Sequence, residues 1–267
     1  MMSRRGIVAL LSAAALALPL AATSATTAHA ASPAFKVLVF SKTTGYRHDS
    51  IPDGIAAVEK LGQENGFTVD ATEDATQFND ANLAKYQSVV FISTTGDPLD
   101  QQSEKDAFQH YIENGGGFVG IHAAADSGYT WSWYGGLVGA YFLDHPSIQQ
   151  ATVNIAGRGT PATKDLPNRW TRTDEWYNYR SNPRSAVRVL ATLDERTYNP
   201  VGYSGGSMGA DHPIAWCHPY DGGRSFYTGM GHTKESYTDP LFLSHILGGI
   251  EMTAGAAKFN CDPESTD

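Results

Sequence analysis

Cysteine is nearly absent from this sequence, with only Cys217 and Cys261 in 267 residues. Two thiols cannot build a four-thiolate zinc site. Positive charge is also short, with 19 Lys and Arg against 28 Asp and Glu and a net charge of −9. That balance argues against nonspecific attraction to nucleic acid or to an anionic membrane surface. Beyond residue 30 no run is long and apolar enough to cross a bilayer. No H-x-x-x-H or similar short ligand spacing occurs, so any metal site has to be assembled across loops. Internal repeats, linkers and low-complexity blocks are missing as well.

The first thirty residues carry a different signal. Arg4 and Arg5 precede an apolar run from Ile7 to about Ala22, and Ala28-His29-Ala30 supplies a small-x-small cleavage pattern. This order predicts a secretory signal peptide over residues 1–30, cut near Ala30/Ala31. A membrane anchor is the competing reading, but the run is alanine-rich, short for a span, and followed by Ser and Thr. The expected mature part, residues 31–267, has about 237 residues and a net charge near −11 once Arg4 and Arg5 are gone. That size suits one α/β domain. In a secreted protein an even pair of cysteines suggests a disulfide. A Cys217–Cys261 bridge would tie the C-terminal tail to a predicted strand and stabilise by roughly 3–5 kcal/mol.

Short β-branched and apolar runs predict strands at residues 36–41 (KVLVFS), 67–71, 88–93 (SVVFIS) and 118–122 (FVGIH). Residues 51–65 carry Ile51, Ile55, Val58 and Leu61 at helical spacing, with Pro52 where a first turn tolerates it and Gly66 where a helix stops. Residues 101–114 form a second helix ended by Gly115-Gly116-Gly117. Strand–helix alternation with apolar strands predicts a doubly wound, mainly parallel sheet flanked by helices. The second half is less regular: strands are expected at 150–155, 186–193, 214–217 and 225–229, and a closing helix at 241–250.

Open parallel sheets bind ligands beyond the carboxyl ends of their strands. His48 follows the first strand, His122 ends the fourth, and His232 follows the 225–229 strand. Three strands thus deliver a histidine to one edge, joined by Asp126 and, as a candidate substrate contact, by Thr94 after the third strand. Small residues Ala123 to Ala125 beside His122 leave room for a ligand, although a hydrogen-bonded core histidine reads the same way. Glu175, in Asp174-Glu175-Trp176-Tyr177-Asn178, is a candidate proton-transfer group among aromatics. It could instead pair with Arg47 or Arg169 and hold a loop. Trp131, Tyr134, Trp176 and Tyr177 are expected to hold a sugar ring, with core packing as the alternative. His145 reads as a cap on a preceding helix, His110 and His245 as helix residues, and His212 and His218 as turn residues. Imidazoles with carboxylates also suit zinc or manganese, which leaves a divalent cofactor open.

The phrases FSKTTGYRHDSI, GGGFVGIHAAAD, DEWYN and GRSFYTGMGHT, in that order, resemble the trehalose-utilisation (ThuA-like) family over nearly all of residues 31–267. The resemblance implies a flavodoxin-like fold related to class I glutamine amidotransferases. Those enzymes place a nucleophilic cysteine where this chain has His122, so amidotransferase chemistry is not expected. It also implies work on trehalose-like disaccharides and oxidised 3-keto sugars. The export signal turns that expectation toward an extracellular glycan or its fragments. The leading expectation is an exported carbohydrate-active enzyme acting on a glycoside or 3-keto-glycoside, with His122, His232, Glu175, His48 and Asp126 as its working groups. The rival is a non-catalytic sugar-binding domain using the same pocket.

Overall fold

The hydrophobic runs become strands and the amphipathic runs become helices in a computed structural model that describes residues 35–263 together with Met1 and Met2. The expected export signal and its cleavage point lie outside the described residues. Residues 35–263 belong to one compact unit.

The first half runs β1 (Lys36–Phe40), α1 (Ile51–Asn65), β2 (Thr68–Thr72), α2 (Asp80–Leu83), β3 (Ser88–Ile92), α3 (Gln102–Glu113), β4 (Gly117–Ile121) and α4 (Ser132–Val138). The second half adds β5 (Phe142–Asp144), β6 (Gln149–Ile155), β7 (Arg169–Asp174), β8 (Asn178–Tyr179), β9 (Arg188–Leu193), β10 (Pro213–Tyr220), β11 (Gly223–Thr228) and α5 (Pro240–Ala254). Nine strands form one sheet in the order β2-β1-β3-β4-β11-β10-β9-β6-β7, and β5 pairs with β8 apart from it.

The five strands β2-β1-β3-β4-β11 are parallel and make a flavodoxin-like half. Their sequences explain the position. Every residue of β3 and β4 is buried, which only a strand covered on both faces achieves, whereas the polar β2 sits exposed at the edge. The chain steps one way from β1 to β2 and the other way from β3 to β4. Right-handed crossovers therefore put α1 on one face and α3 on the other. The other four strands, β10, β9, β6 and β7, continue the sheet antiparallel. The expectation of a mainly parallel sheet thus holds for the half that bears the histidines, and the less regular second half supplies a mixed extension.

Helix ends follow local chemistry. Gly66 takes φ 78° and gives its N–H to Gly62 O at 2.9 Å, closing α1. The Asp239 carboxylate accepts from Leu241 N at 2.9 Å, and Pro240 fills the first turn of α5. The buried residues Ile51, Val58 and Leu61 lie at helical spacing along α1, which packs beside α5. No described helix is long and apolar enough to cross a membrane.

Cys217, on β10, is disulfide-bonded to Cys261, with 5.4 Å between Cα atoms and a sequence separation of 44. Both are buried. Closing a loop of this length removes unfolded-state freedom worth about 4 kcal/mol. Unfolding, reducing and refolding the chain under a thiol reductant should lower its urea midpoint accordingly. An unchanged midpoint would contradict the assignment of stabilising weight to this bridge.

Candidate active site

The loops after β1, β3 and β4 are stitched into one wall at the carboxyl edge of the sheet. Thr44 N donates to Thr95 O at 3.0 Å, Gly96 N to Asp126 O at 2.9 Å, and Gly128 N to Gly96 O at 2.7 Å. Thr95 Oγ1 donates to Tyr46 O at 2.7 Å. This wall carries His48 and Asp126. Thr94 contributes from inside it: its hydroxyl is buried against Ser127 Oγ at 3.0 Å and does not line the cavity, contrary to the expectation of substrate contact.

At the end of β4 the backbone turns sharply through His122, which has φ 51°. A left-handed conformation for a non-glycine residue costs of order 1–3 kcal/mol and persists only where neighbours enforce it. Here the Tyr227 hydroxyl donates to His122 O at 2.8 Å, and His122 Nδ1 lies 2.9 Å from Gly229 O. A carbonyl can only accept, so Nδ1 carries a proton and Nε2 points inward. The ring lies against Tyr177, with centroids 4.2 Å apart.

A second buried acid positions the rest. Asp174 ends β7 and is fully buried. Its carboxylate accepts from Glu175 N at 3.0 Å, Gly231 N at 2.9 Å, His232 N at 3.1 Å and Ser236 Oγ at 3.1 Å. Arg172 Nη2 reaches it at 3.0 Å, with the guanidinium flanked by Trp170 and Phe242. Asp174 therefore clamps the Glu175 segment to the loop after β11.

The result is a tight cluster. His48, His122 and His232 have ring centroids 4.9 to 5.0 Å apart, pair by pair. His122 Nε2 lies 3.0 Å from His232 Nδ1 and 3.4 Å from Glu175 Oε2. Glu175 Oε2 is 3.1 Å from His232 Nδ1, and Oε1 is 3.1 Å from His145 Nδ1. Burial, reinforced by His122 and His232, drives the His48 pKa down to about 2. Burial alone would raise Glu175, but the facing His122 and His232 outweigh it and hold the carboxyl well below its usual range. Burial would likewise lower His232, and Glu175 reverses that. Asp126 is raised chiefly by burial, against the opposing Tyr129 hydroxyl at 2.5 Å.

Above the cluster opens a cavity of roughly 410 Å³ lined by Tyr46, His48, Asp126, Phe142, His145, Glu175, Tyr177, Tyr203 and His232. Several sequence expectations change here. Glu175 does not pair with Arg47 or Arg169, which bind Glu73 and Asp194 instead. His145 follows the strand β5 rather than a helix, and it faces the cavity. Of the expected sugar-holding aromatics only Tyr177 reaches the cavity. Trp176 is fully buried and gives its indole N–H to Gln149 O at 2.8 Å. Tyr134 is buried with its hydroxyl on Ala124 O at 2.7 Å, and Trp131 stacks on Trp133 and Tyr134. Each of these rings is satisfied by packing away from the cavity. Tyr46 and Tyr203, both about two-thirds exposed, stand at the cavity instead.

A family model described as trehalose utilisation, ThuA, matches residues 36–253. The chain belongs to the ThuA family. It lies in the glutamine amidotransferase-like superfamily, with a carbohydrate-related role as the family's theme. A ThuA-like protein from Bacteroides uniformis superposes with a TM-score of 0.72 at 27% identity, over 84% of this chain and 93% of that one. A ThuA-like protein from Parabacteroides merdae gives 0.66 at 19% identity, over 84% and 92%, which speaks to the fold alone. No curated protein matches. In this ThuA family member no thiol is free at the turn after β4, because both cysteines are bridged.

Asp174→Asn should test the clamp. An amide presents donors where this site offers donors, and a buried ion pair loses one partner. The expected loss is about 3–5 kcal/mol of unfolding free energy in urea. A stability within 1 kcal/mol of the parent, on the order of a surface substitution, would show that the clamp carries no weight.

Proposed function

We propose that the chain is an exported carbohydrate-active enzyme that acts on a glycoside or 3-keto-glycoside by acid–base chemistry at the histidine–Glu175 centre. The observation that carries this reading is the convergence of His48, His122, His232 and Glu175, with ligand-type atoms within 4.8 Å, on one side of an aromatic-walled cavity. A cavity of a few hundred Å³ with aromatic sides and convergent titratable groups has the size and character of a small-ligand site. Tyr46 and Tyr203 present exposed rings, whose flat apolar faces suit a sugar ring while their hydroxyls stay in water. Asp126 and His145 face the same space and are placed to exchange protons with a bound sugar. The family's carbohydrate theme agrees with this assignment.

Export rests on Arg4, Arg5, the apolar run after them and the Ala28-His29-Ala30 pattern. Expressed in a secreting host, the chain should reach the medium with an N-terminus at or near Ala31, read by N-terminal sequencing. Retention in the cell at full length would remove the export half of the proposal.

Glu175→Gln keeps the shape of the side chain and removes its charge. On the sugar that the parent turns over, it should lower kcat by about 10²–10⁴-fold while calorimetric affinity changes little. Tyr203→Ala should instead raise KM and leave kcat near the parent value, the pattern of lost uniform binding. If the parent binds native or 3-oxidised sugars but turns none over, the non-catalytic binding module is the right description. If it binds none, the carbohydrate reading of this cavity falls.

A further inference from the structure

We infer that His48, His122, His232 and Glu175 are the protein ligands of a single divalent transition-metal ion. Four features point the same way. One atom from each of the four residues lies within 4.8 Å of all the others. A metal bonded at about 2.0–2.2 Å to nitrogen and oxygen holds neighbouring ligand atoms about 3–3.5 Å apart. The contacts of 3.0, 3.1 and 3.4 Å among His122, His232 and Glu175 match that spacing. These atoms come from four separate parts of the chain, which explains why no short ligand motif is visible in the sequence.

The tautomer of His122 is the second feature. Its Nδ1–H is committed to Gly229 O, which leaves Nε2 facing Glu175 Oε2 at 3.4 Å and His232 Nδ1 at 3.0 Å. As a metal ligand Nε2 would present its lone pair inward, and a cation between it and the carboxylate would bind both. A backbone carbonyl holding the far nitrogen is also the contact that orients metal-bound imidazoles. Third, His48 Nδ1 is buried with no hydrogen-bond partner. A buried polar atom left unpaired is expensive, and coordination would satisfy it. Fourth, Glu175 has imidazoles alone within ion-pair reach among the described residues, namely His122, His145 and His232. No lysine or arginine supplies a fixed counter-charge there.

Three imidazoles and one carboxylate are the donor set of zinc, manganese or cobalt rather than of calcium or magnesium. The cavity opens on the side of His48, Glu175 and His232, leaving coordination positions toward it. Resting on the sugar reading above, those positions take two adjacent oxygens of a hydroxy-ketone or diol. His145 and Asp126 stay outside the ligand set and face the bound oxygens.

The test uses the whole chain, purified without a polyhistidine tag and stripped with a chelator. Titration with zinc, manganese and cobalt(II), followed by calorimetry and cobalt visible absorption, should give one ion per chain. Glu175→Gln and His48→Gln should each weaken binding at least about tenfold, while the exposed His110→Gln leaves it unchanged. X-ray absorption on the zinc-loaded parent, which depends on no variant folding, should report imidazole ligation. Substoichiometric binding, variants that bind like the parent, or an all-oxygen shell would overturn the site. Metal binding without sugar turnover would sink the sugar reading and leave the ion in place. Full turnover by the stripped chain would sink the ion and leave the sugar reading.

Discussion

The site depends on a carboxylate that never meets the cavity. Asp174 is buried and gathers donors from two stretches of chain: the Arg172 side chain and Glu175 amide beside it, and the Gly231 and His232 amides and Ser236 side chain after β11. Each of those donors would otherwise be an unsatisfied polar group in a low-dielectric interior. Satisfying them together requires the end of β7 and the loop after β11 to adopt one relative position. Once they do, Glu175 and His232 have no choice but to face His122. Removing water from this region makes the arrangement rigid, since charge-assisted hydrogen bonds are strongest where the dielectric is low.

The topology shows why such a clamp is needed. In the parallel half, the loops after β1, β3 and β4 are neighbours because their strands are neighbours. His48, His122 and Asp126 therefore come together through backbone pairing alone. Glu175 comes from β7, at the far end of the antiparallel extension. No strand pairing joins β7 to β11, so a side-chain contact has to do it, and Asp174 is that contact. The flavodoxin-like half sets one side of the cavity, and the extension brings the acid and, through β5 and β8, Phe142 and Tyr177.

This division also explains what could be read from sequence. The strands of the parallel half are short apolar runs bounded by turn residues. Their order fixes the edge at which His48, His122 and His232 emerge, so those three could be placed together without coordinates. Glu175 stood out by its aromatic neighbours, but its partners did not, because they come from distant strands. Asp174, in the same motif, carries no comparable signal, since nothing in an acid's neighbours along the chain reveals that five donors converge on it. The aromatics divided for the same reason. Trp131, Tyr134, Trp176 and Tyr177 all sit among polar and small residues along the chain, and only tertiary packing turns the first three away from the cavity and Tyr177 toward it. β7, RWTRTD, alternates exposed and buried along its length, yet its arginines and threonines hide the strand pattern.

The turn at His122 has a wider meaning. Its left-handed backbone is held from behind by Tyr227 and by the strands on either side, and His122 Nδ1 adds a bond to Gly229 O. Aim and reactivity are therefore set by different atoms. A socket of this kind can receive a thiol in one lineage and an imidazole in another without re-folding the sheet beneath it. It can change trades while keeping its address, and the chemistry of such a scaffold is written more in the visiting side chain than in the architecture that presents it.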